Sequence, residues 1–286
     1  MILKKLTAAL LLLTVAVVAH AALPVTVTVT NAGNTADTTG FGAVAYPYQI
    51  GKFEVNQAEY CEFLNGAAKT NHYNLYDSRM DGEYGGITRE GSRGSYTYTV
   101  KEGWGKKPVG YVTWESCARF CNWLSNGQGT GATETGVYTF KNGEVKAPDH
   151  AVLAAGKTTN WVITSENEWY KAAYYDTNKA GGAGYWSFAV KGGSAPEANL
   201  NSNEPKEVGS FTTAVSPNGT FDQNGNAWEY NEAQADGKVG LRGGSWYIND
   251  NESYLHSSTR YDVLSAKWPH YGFRVVALGG AGAAAK

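Results

Sequence analysis

The sequence predicts an α+β domain on three observations. Helix-start chemistry appears at Asn56, Thr113 and Ser165, the second half is built of short β-type runs between long polar loops, and the composition is rich in turn and ring residues: 35 Gly, 19 Tyr and 9 Trp among 286 residues. That aromatic content argues against disorder, because chains that fail to fold are poor in rings. No run of 20–50 residues repeats, so a solenoid is excluded.

The chain opens with Lys4 and Lys5, an apolar run from Leu6 to Val18, and Ala19-His20-Ala21. This is the plan of a signal peptide over residues 1–22, with Ala22 an alternative end. The apolar run is shorter than the roughly 20 residues of a membrane span, so the expectation is an exported protein, periplasmic or extracellular, with no stable membrane anchor after cleavage. Residues 23–44 then form an N-terminal strand and linker, 45–278 the domain, and 279–286 a Gly/Ala-rich flexible tail.

Val25 to Thr30 alternates valine and threonine, a period of two that predicts a strand, and Tyr48 to Val55 predicts a second. Asn56 with Glu59 three on makes a capping box. Tyr60, Phe63, Leu64 and Ala67 recur at helical spacing on the face that must be buried. Residues 70–107 show no helical period. Pro108 to Val112 predicts a short strand and Thr113 caps a second helix, whose inner stripe is Trp114, Cys117, Phe120, Cys121 and Leu124. Residues 125–160 read as loop and hairpin. Ser165 and Glu168 make a second capping box, with Trp169, Ala172 and Ala173 facing inward. Short strands and long loops follow, closed by a strand from Phe273 to Leu278.

Cys61, Cys117 and Cys121 are the only cysteines. An odd number leaves a thiol unpaired, and two cysteines four apart on a helix share a face but are poorly placed for a bridge. Beside Phe120 and Leu124 they read as small core residues. The 24 basic against 26 acidic residues, net −2, exclude phosphate-driven binding to nucleic acid.

A series of short motifs runs through the chain in fixed order: residues 48–56 before the first helix, 108–114 before the second, Thr164-Ser-Glu-Asn-Glu-Trp169, Gly225-Asn-Ala-Trp-Glu229, Arg242-Gly-Gly-Ser-Trp246 and Gly272-Phe-Arg274. Over residues 45–277 this series resembles the formylglycine-generating enzyme family, also called sulfatase-modifying factor domains. The resemblance implies a C-type-lectin-like α+β fold in one loop-rich domain.

Two carboxylates around the tight turn of residues 221–229 are hard-oxygen chemistry suited to Ca²⁺. The resemblance implies a structural calcium there, held by the side chains of Asp222 and Glu229 and the main chain of Gly225 and Ala227. A second family calcium site would begin at Asn199 and Leu200, but its acidic half is not recognisable in residues 201–207.

Formylglycine formation in the family uses a cysteine pair, and the matching positions here are Ile248 and Ser253. Neither provides a thiolate for a soft ion, which argues against copper and against that reaction. Other relatives hold iron with histidines. Here His72, His150, His256 and His270 are widely spaced, which argues against iron as well.

The expectation is therefore an exported, calcium-stabilised binding module for a protein or glycan. The resemblance places Ser245 and Glu54 near the family's active-site cleft, and Tyr247, Asn249, Asp250, Asn251, Tyr254, His256, Trp268 and His270 are the expected ligand-binding residues. Aromatic rings with short polar residues are the residue set of binding surfaces, and some domains of this family serve as diversified receptors. The alternative is a metal-dependent oxidase or oxygenase with His256, His270 and Glu54 as ligands. A third reading is a scaffold for a genuine modifying enzyme or a sulfatase.

Overall fold

A computed structural model describes residues 22–247 and 250–280. The predicted leader and the end of the tail lie outside the described residues, and so do Ile248 and Asn249. The chain forms β1 (Thr26–Val29), β2 (Tyr48–Gly51), α1 (Gln57–Ala67), a 3₁₀ turn at Ser78–Asp81, β3 (Ile87–Glu90), β4 (Thr97–Val100) and α2 (Trp114–Ser125). Next come β5 (Thr139–Lys141), β6 (Glu144–Lys146), α3 (His150–Ala154), β7 (Asn160–Ile163), α4 (Glu166–Tyr174), β8 (Tyr175–Asp176) and β9 (Gly184–Tyr185). The last part holds β10 (Trp228–Ala235), β11 (Lys238–Arg242), a 3₁₀ turn at Glu252–Leu255, β12 (Tyr261–Val263), β13 (Tyr271–Phe273) and β14 (Val275–Leu278).

Two four-stranded sheets organise these elements. The terminal sheet runs β1-β2-β14-β7, antiparallel throughout, and the second runs β12-β11-β10-β13 with only β10 and β13 parallel. The closing strand expected over 273–278 is thus split: β13 belongs to the second sheet, β14 to the first, and Arg274 alone separates them. Its guanidinium explains the break. Fully buried, it donates to Gly51 O (3.0 Å), Phe221 O (2.8 Å) and both oxygens of Glu229 (2.6 Å each).

The three predicted helix starts are present. Asn56 Oδ1 accepts the Glu59 N–H while Glu59 Oε2 accepts that of Asn56, both at 2.9 Å. Ser165 and Glu168 repeat the reciprocal pair, and Thr113 Oγ1 accepts from Ser116 N. α1 and α2 bury their ring stripes against each other, with Phe63 and Phe120 edge to face at 5.5 Å and Phe120 meeting Phe273 of the sheet at the same distance. Such pairs add about 0.5–1.5 kcal/mol beyond area burial. Cys117 and Cys121 sit in this stripe as buried free thiols, and Cys61 is buried and free as well.

Several expectations need correction. Residues 108–112 make a single bridge, Pro108 to Asn56, because Tyr111 turns to φ 59° and cannot continue an extended run. β2 stops at Gly51, four residues short of the expected end at Val55, although Lys52 N still bonds Val25 O at 2.8 Å in register with β1. The stretch 70–107 contains the first 3₁₀ turn and the β3–β4 hairpin, and 125–160 contains α3, capped by Asp149, beside the expected hairpin.

Buried charge locks α4 in place. His150 lies between Glu168 and Glu232 at 2.9 Å from each. Burial alone would lower its pKa, but the two carboxylates outweigh that and hold it well above the usual histidine range. Glu166 gathers Arg242, Arg260 (2.7 Å) and Asn231 (2.8 Å), tying α4 to the second sheet and to the loop beyond it.

Candidate functional site

Between β11 and β13 the chain makes a long excursion, opening with Gly243 at φ 105° and Gly244 at φ 75°, a turn that L side chains rarely adopt. Trp246 is buried beneath the resulting face, with Tyr84 at 5.2 Å and His270 at 6.3 Å between ring centroids. Tyr247 stacks flat on His270 (4.3 Å, 12°), and Trp268, 49 % exposed, tilts against the same imidazole at 6.2 Å. Tyr111 supports this wall from the 108–112 segment. Its amide donates to Trp268 O at 2.8 Å, and a Cβ on the preceding Gly110 would overlap the Pro269 carbonyl. A ring residue at positive φ is costly backbone, of the kind that concentrates at functional sites.

Two atoms of this face stand out. Trp246 Nε1 and His270 Nδ1 are buried, and among the described residues neither has a hydrogen-bond partner. Each such group costs about 1–3 kcal/mol when left unpaired. Burial also pushes the His270 pKa down to about 4, so its imidazole is neutral at pH 7.

Of the expected binding residues, the structure gathers Tyr247, Trp268 and His270. Asp250 instead pins the base of the loop, accepting from Ser245 N (2.7 Å) and Ser245 Oγ (2.6 Å). Asn251 caps the second 3₁₀ turn through Ser253 N and Oγ. Tyr254 packs on Trp228 and Tyr261, and His256 bonds Ser258 and meets Phe188 edge-on. These residues build the loop from within. Asn249 lies outside the described residues, as does Ile248, while Ser253 is bound to Asn251 at the loop's outer turn. Sequence reasoning missed Tyr84, which comes from the stretch without helical period, and Tyr111, which lies in the strand expected over 108–112.

The predicted calcium loop adjoins Trp246, whose amide donates to Asn226 O at 3.1 Å. Asp222, at φ 60°, accepts Gly209 N at 2.6 Å through Oδ2. Glu229 is held at both oxygens by Arg274 and at Oε2 also by Trp169 Nε1 (2.7 Å). Glu54 reaches the same buried cluster, where Oε1 accepts from Asn226 Nδ2 (3.1 Å) and Oε2 has no hydrogen-bond partner among the described residues. Burial, then the neighbouring Asp222 and Glu229, raise the Glu54 pKa, and burial raises that of Asp222.

Three buried carboxylates thus face a single guanidinium, an excess of negative charge that a cation would balance. The donors are hard oxygens, and the orphaned Glu54 Oε2 and the second Asp222 oxygen fit a calcium ion. Glu229, expected as a side-chain ligand, has both oxygens clasped by Arg274 and would contribute its charge rather than a free oxygen. Among the described residues no three His, Cys, Asp or Glu side chains group as metal ligands, so the set His256, His270 and Glu54 is not assembled, and a calcium ion beside Glu54 and Asp222 would need main-chain oxygens to complete its shell. Asn199 is joined to the same loop: it bridges to Gly225, its carbonyl accepts Asn226 N, its amide donates to Glu204 O and Asn226 Oδ1, and its Oδ1 accepts from Ser202.

None of the described helices is long and apolar enough to cross a membrane. No curated protein matches the sequence. Among solved structures the fold is similar to CarF (18 % identity, TM-score 0.54, 89 % of this chain and 98 % of that one). It is also similar to Treponema denticola variable protein 1 (18 %, 0.51, 88 % and 94 %). PvdO from Pseudomonas aeruginosa aligns at 17 % identity and TM-score 0.48 over 90 % and 92 % of the two chains. The family model of the sulfatase-modifying factor enzyme 1-like domain matches residues 26–278, which takes in both four-stranded sheets, the four described α-helices and the aromatic face. The chain belongs to that family.

Proposed function

We propose that this chain is an exported binding module of the family, stabilised by calcium on the 222–229 loop and not a formylglycine generator. The observation that carries the reading is the pair of unpartnered buried atoms, Trp246 Nε1 and His270 Nδ1, beneath the ring face of Tyr247 and Trp268. A polar group from a ligand that reaches both atoms relieves two desolvation costs at once, while the rings supply contact area at little entropic cost. Ile248 and Ser253 at the cysteine positions, with all three thiols buried elsewhere, support the loss of the family's reaction.

The test is a glycan and peptide array probed with the processed protein and with Trp268→Ala, alongside metal analysis. Binding that Trp268→Ala removes, with calcium as the metal, supports the reading. Stoichiometric copper or iron, or conversion of a sulfatase-type cysteine peptide to its aldehyde, overturns it.

A further inference from the structure

Beside the aromatic face an open cleft of about 660 Å³ runs between the 71–78 segment, β3 and α2, lined among others by Tyr73, Asp77, Arg89, Glu115, Arg119 and Lys267. Cleft and face share a border: Lys267 immediately precedes Trp268, and Arg79 lies over the Tyr111 ring at 5.1 Å. The anions of the cleft are already engaged. Asp77 is clasped by Arg79 at 2.8 and 3.0 Å with Lys267 at 3.7 Å, and Glu115 accepts the Ser265 hydroxyl at 2.7 Å. Of the cations, Arg119 is paired with Glu134.

Arg89 differs. It makes no ion pair among the described residues. Its guanidinium sits against the rings of Tyr76 (4.7 Å) and Tyr96 (4.3 Å), with the Tyr98 hydroxyl in reach. Rings on its faces leave the edge N–H groups, and that edge is the fork which matches a planar carboxylate or a sulfate. The cleft therefore holds a half-buried, oriented guanidinium with one N–H engaged by the Tyr98 hydroxyl and no carboxylate partner among the described residues, and the net charge of its lining is positive.

We propose that the ligand of the aromatic face is an acidic glycan whose carboxylate or sulfate docks on Arg89, with Lys267 adding charge at the border. The inference rests on the binding role argued above and adds the ligand class. Flat, exposed rings suit the faces of sugar rings, whereas a peptide anchor would need a deep apolar pocket beside them.

The test is a calorimetric titration of the processed full chain with oligogalacturonate, with heparin-derived oligosaccharide, with a neutral cello-oligosaccharide and with an oligoglutamate peptide. We expect one of the two acidic glycans to bind, more weakly as salt rises, and the better of the two identifies carboxylate or sulfate as the group. Arg89→Gln should weaken that binding about tenfold while the folded far-UV circular dichroism spectrum is kept. The inference is overturned if neither acidic glycan binds, if the peptide binds more tightly, or if Arg89→Gln leaves affinity as it was. Binding of the neutral glycan that responds to Trp268→Ala but not to Arg89→Gln would sink the acidic group while preserving the binding role. A face indifferent to Trp268→Ala with every probe would remove both.

Discussion

His270 makes a sharp prediction because its imidazole is buried beside Tyr247 and Trp268 and has no carboxylate to compensate its charge. Replacing it by phenylalanine keeps a ring in the stack and removes the titration. Its folded pKa is depressed to about 4, against 6.5 for the free side chain. Between those values the unfolded chain binds the extra proton and the folded chain does not, so the contribution to stability is whole above pH 6.5 and is lost as pH falls towards 4. At about 1.36 kcal/mol per pH unit, wild type should lose about 2 kcal/mol through this group between pH 7 and pH 4.5. Urea titrations of wild type and His270→Phe at the two pH values measure it. The variant should fall less steeply by that amount. Equal losses in the two proteins, or an imidazole that titrates by NMR near the ordinary histidine value, would refute the argument.

Three further outcomes follow from buried charge. Lys171 is buried with one side-chain hydrogen bond among the described residues, to Asn31 O at 2.9 Å, and burial pulls its pKa down to about 8. Lys171→Met should therefore stabilise the protein at pH 7 by about 2 kcal/mol, after allowance for the lost bond, in chemical denaturation. That advantage should shrink from pH 8 towards 10.5, where only the unfolded wild type still holds its proton, and an advantage constant with pH would contradict the assignment. Arg274→Met strands the fully buried Glu229 and should cost about 3–5 kcal/mol, while a loss below about 1 kcal/mol would contradict the anchoring role. Asp222→Asn should lower the melting temperature in calcium and leave it unchanged in chelator, and an equal drop in both would remove calcium from the loop.

The parts of the fold legible in the sequence were those governed by local chemistry. Asn56, Thr113 and Ser165 cap helices because a short oxygen-bearing side chain satisfies orphan amides whatever lies around it, and the helical stripes follow from period alone. The break at Arg274 was not legible, since the local run reads as one strand and only the distant Glu229, Gly51 and Phe221 divert it. The strand expected at 108–112 failed for a similar reason: the pull of Trp268 on the Tyr111 amide acts across more than 150 residues. At the site, ring and polar composition pointed to the 245–270 loop, but it could not separate Tyr247, Trp268 and His270 from loop-building Asn251, Tyr254 and His256. Tyr84 and Arg89 carried no motif, and only the packing of the β3–β4 hairpin region brings them near.

The single-residue hand-over at Arg274 has a mechanical consequence. The strand that borders the aromatic face and the strand at the centre of the terminal sheet are consecutive links of one chain, clamped at their joint by a guanidinium that grips both sides. Slack cannot build up in one half without tugging the other, so the molecule should melt in one step. A ligand seated on the outer loop should then slow amide exchange as far away as β7.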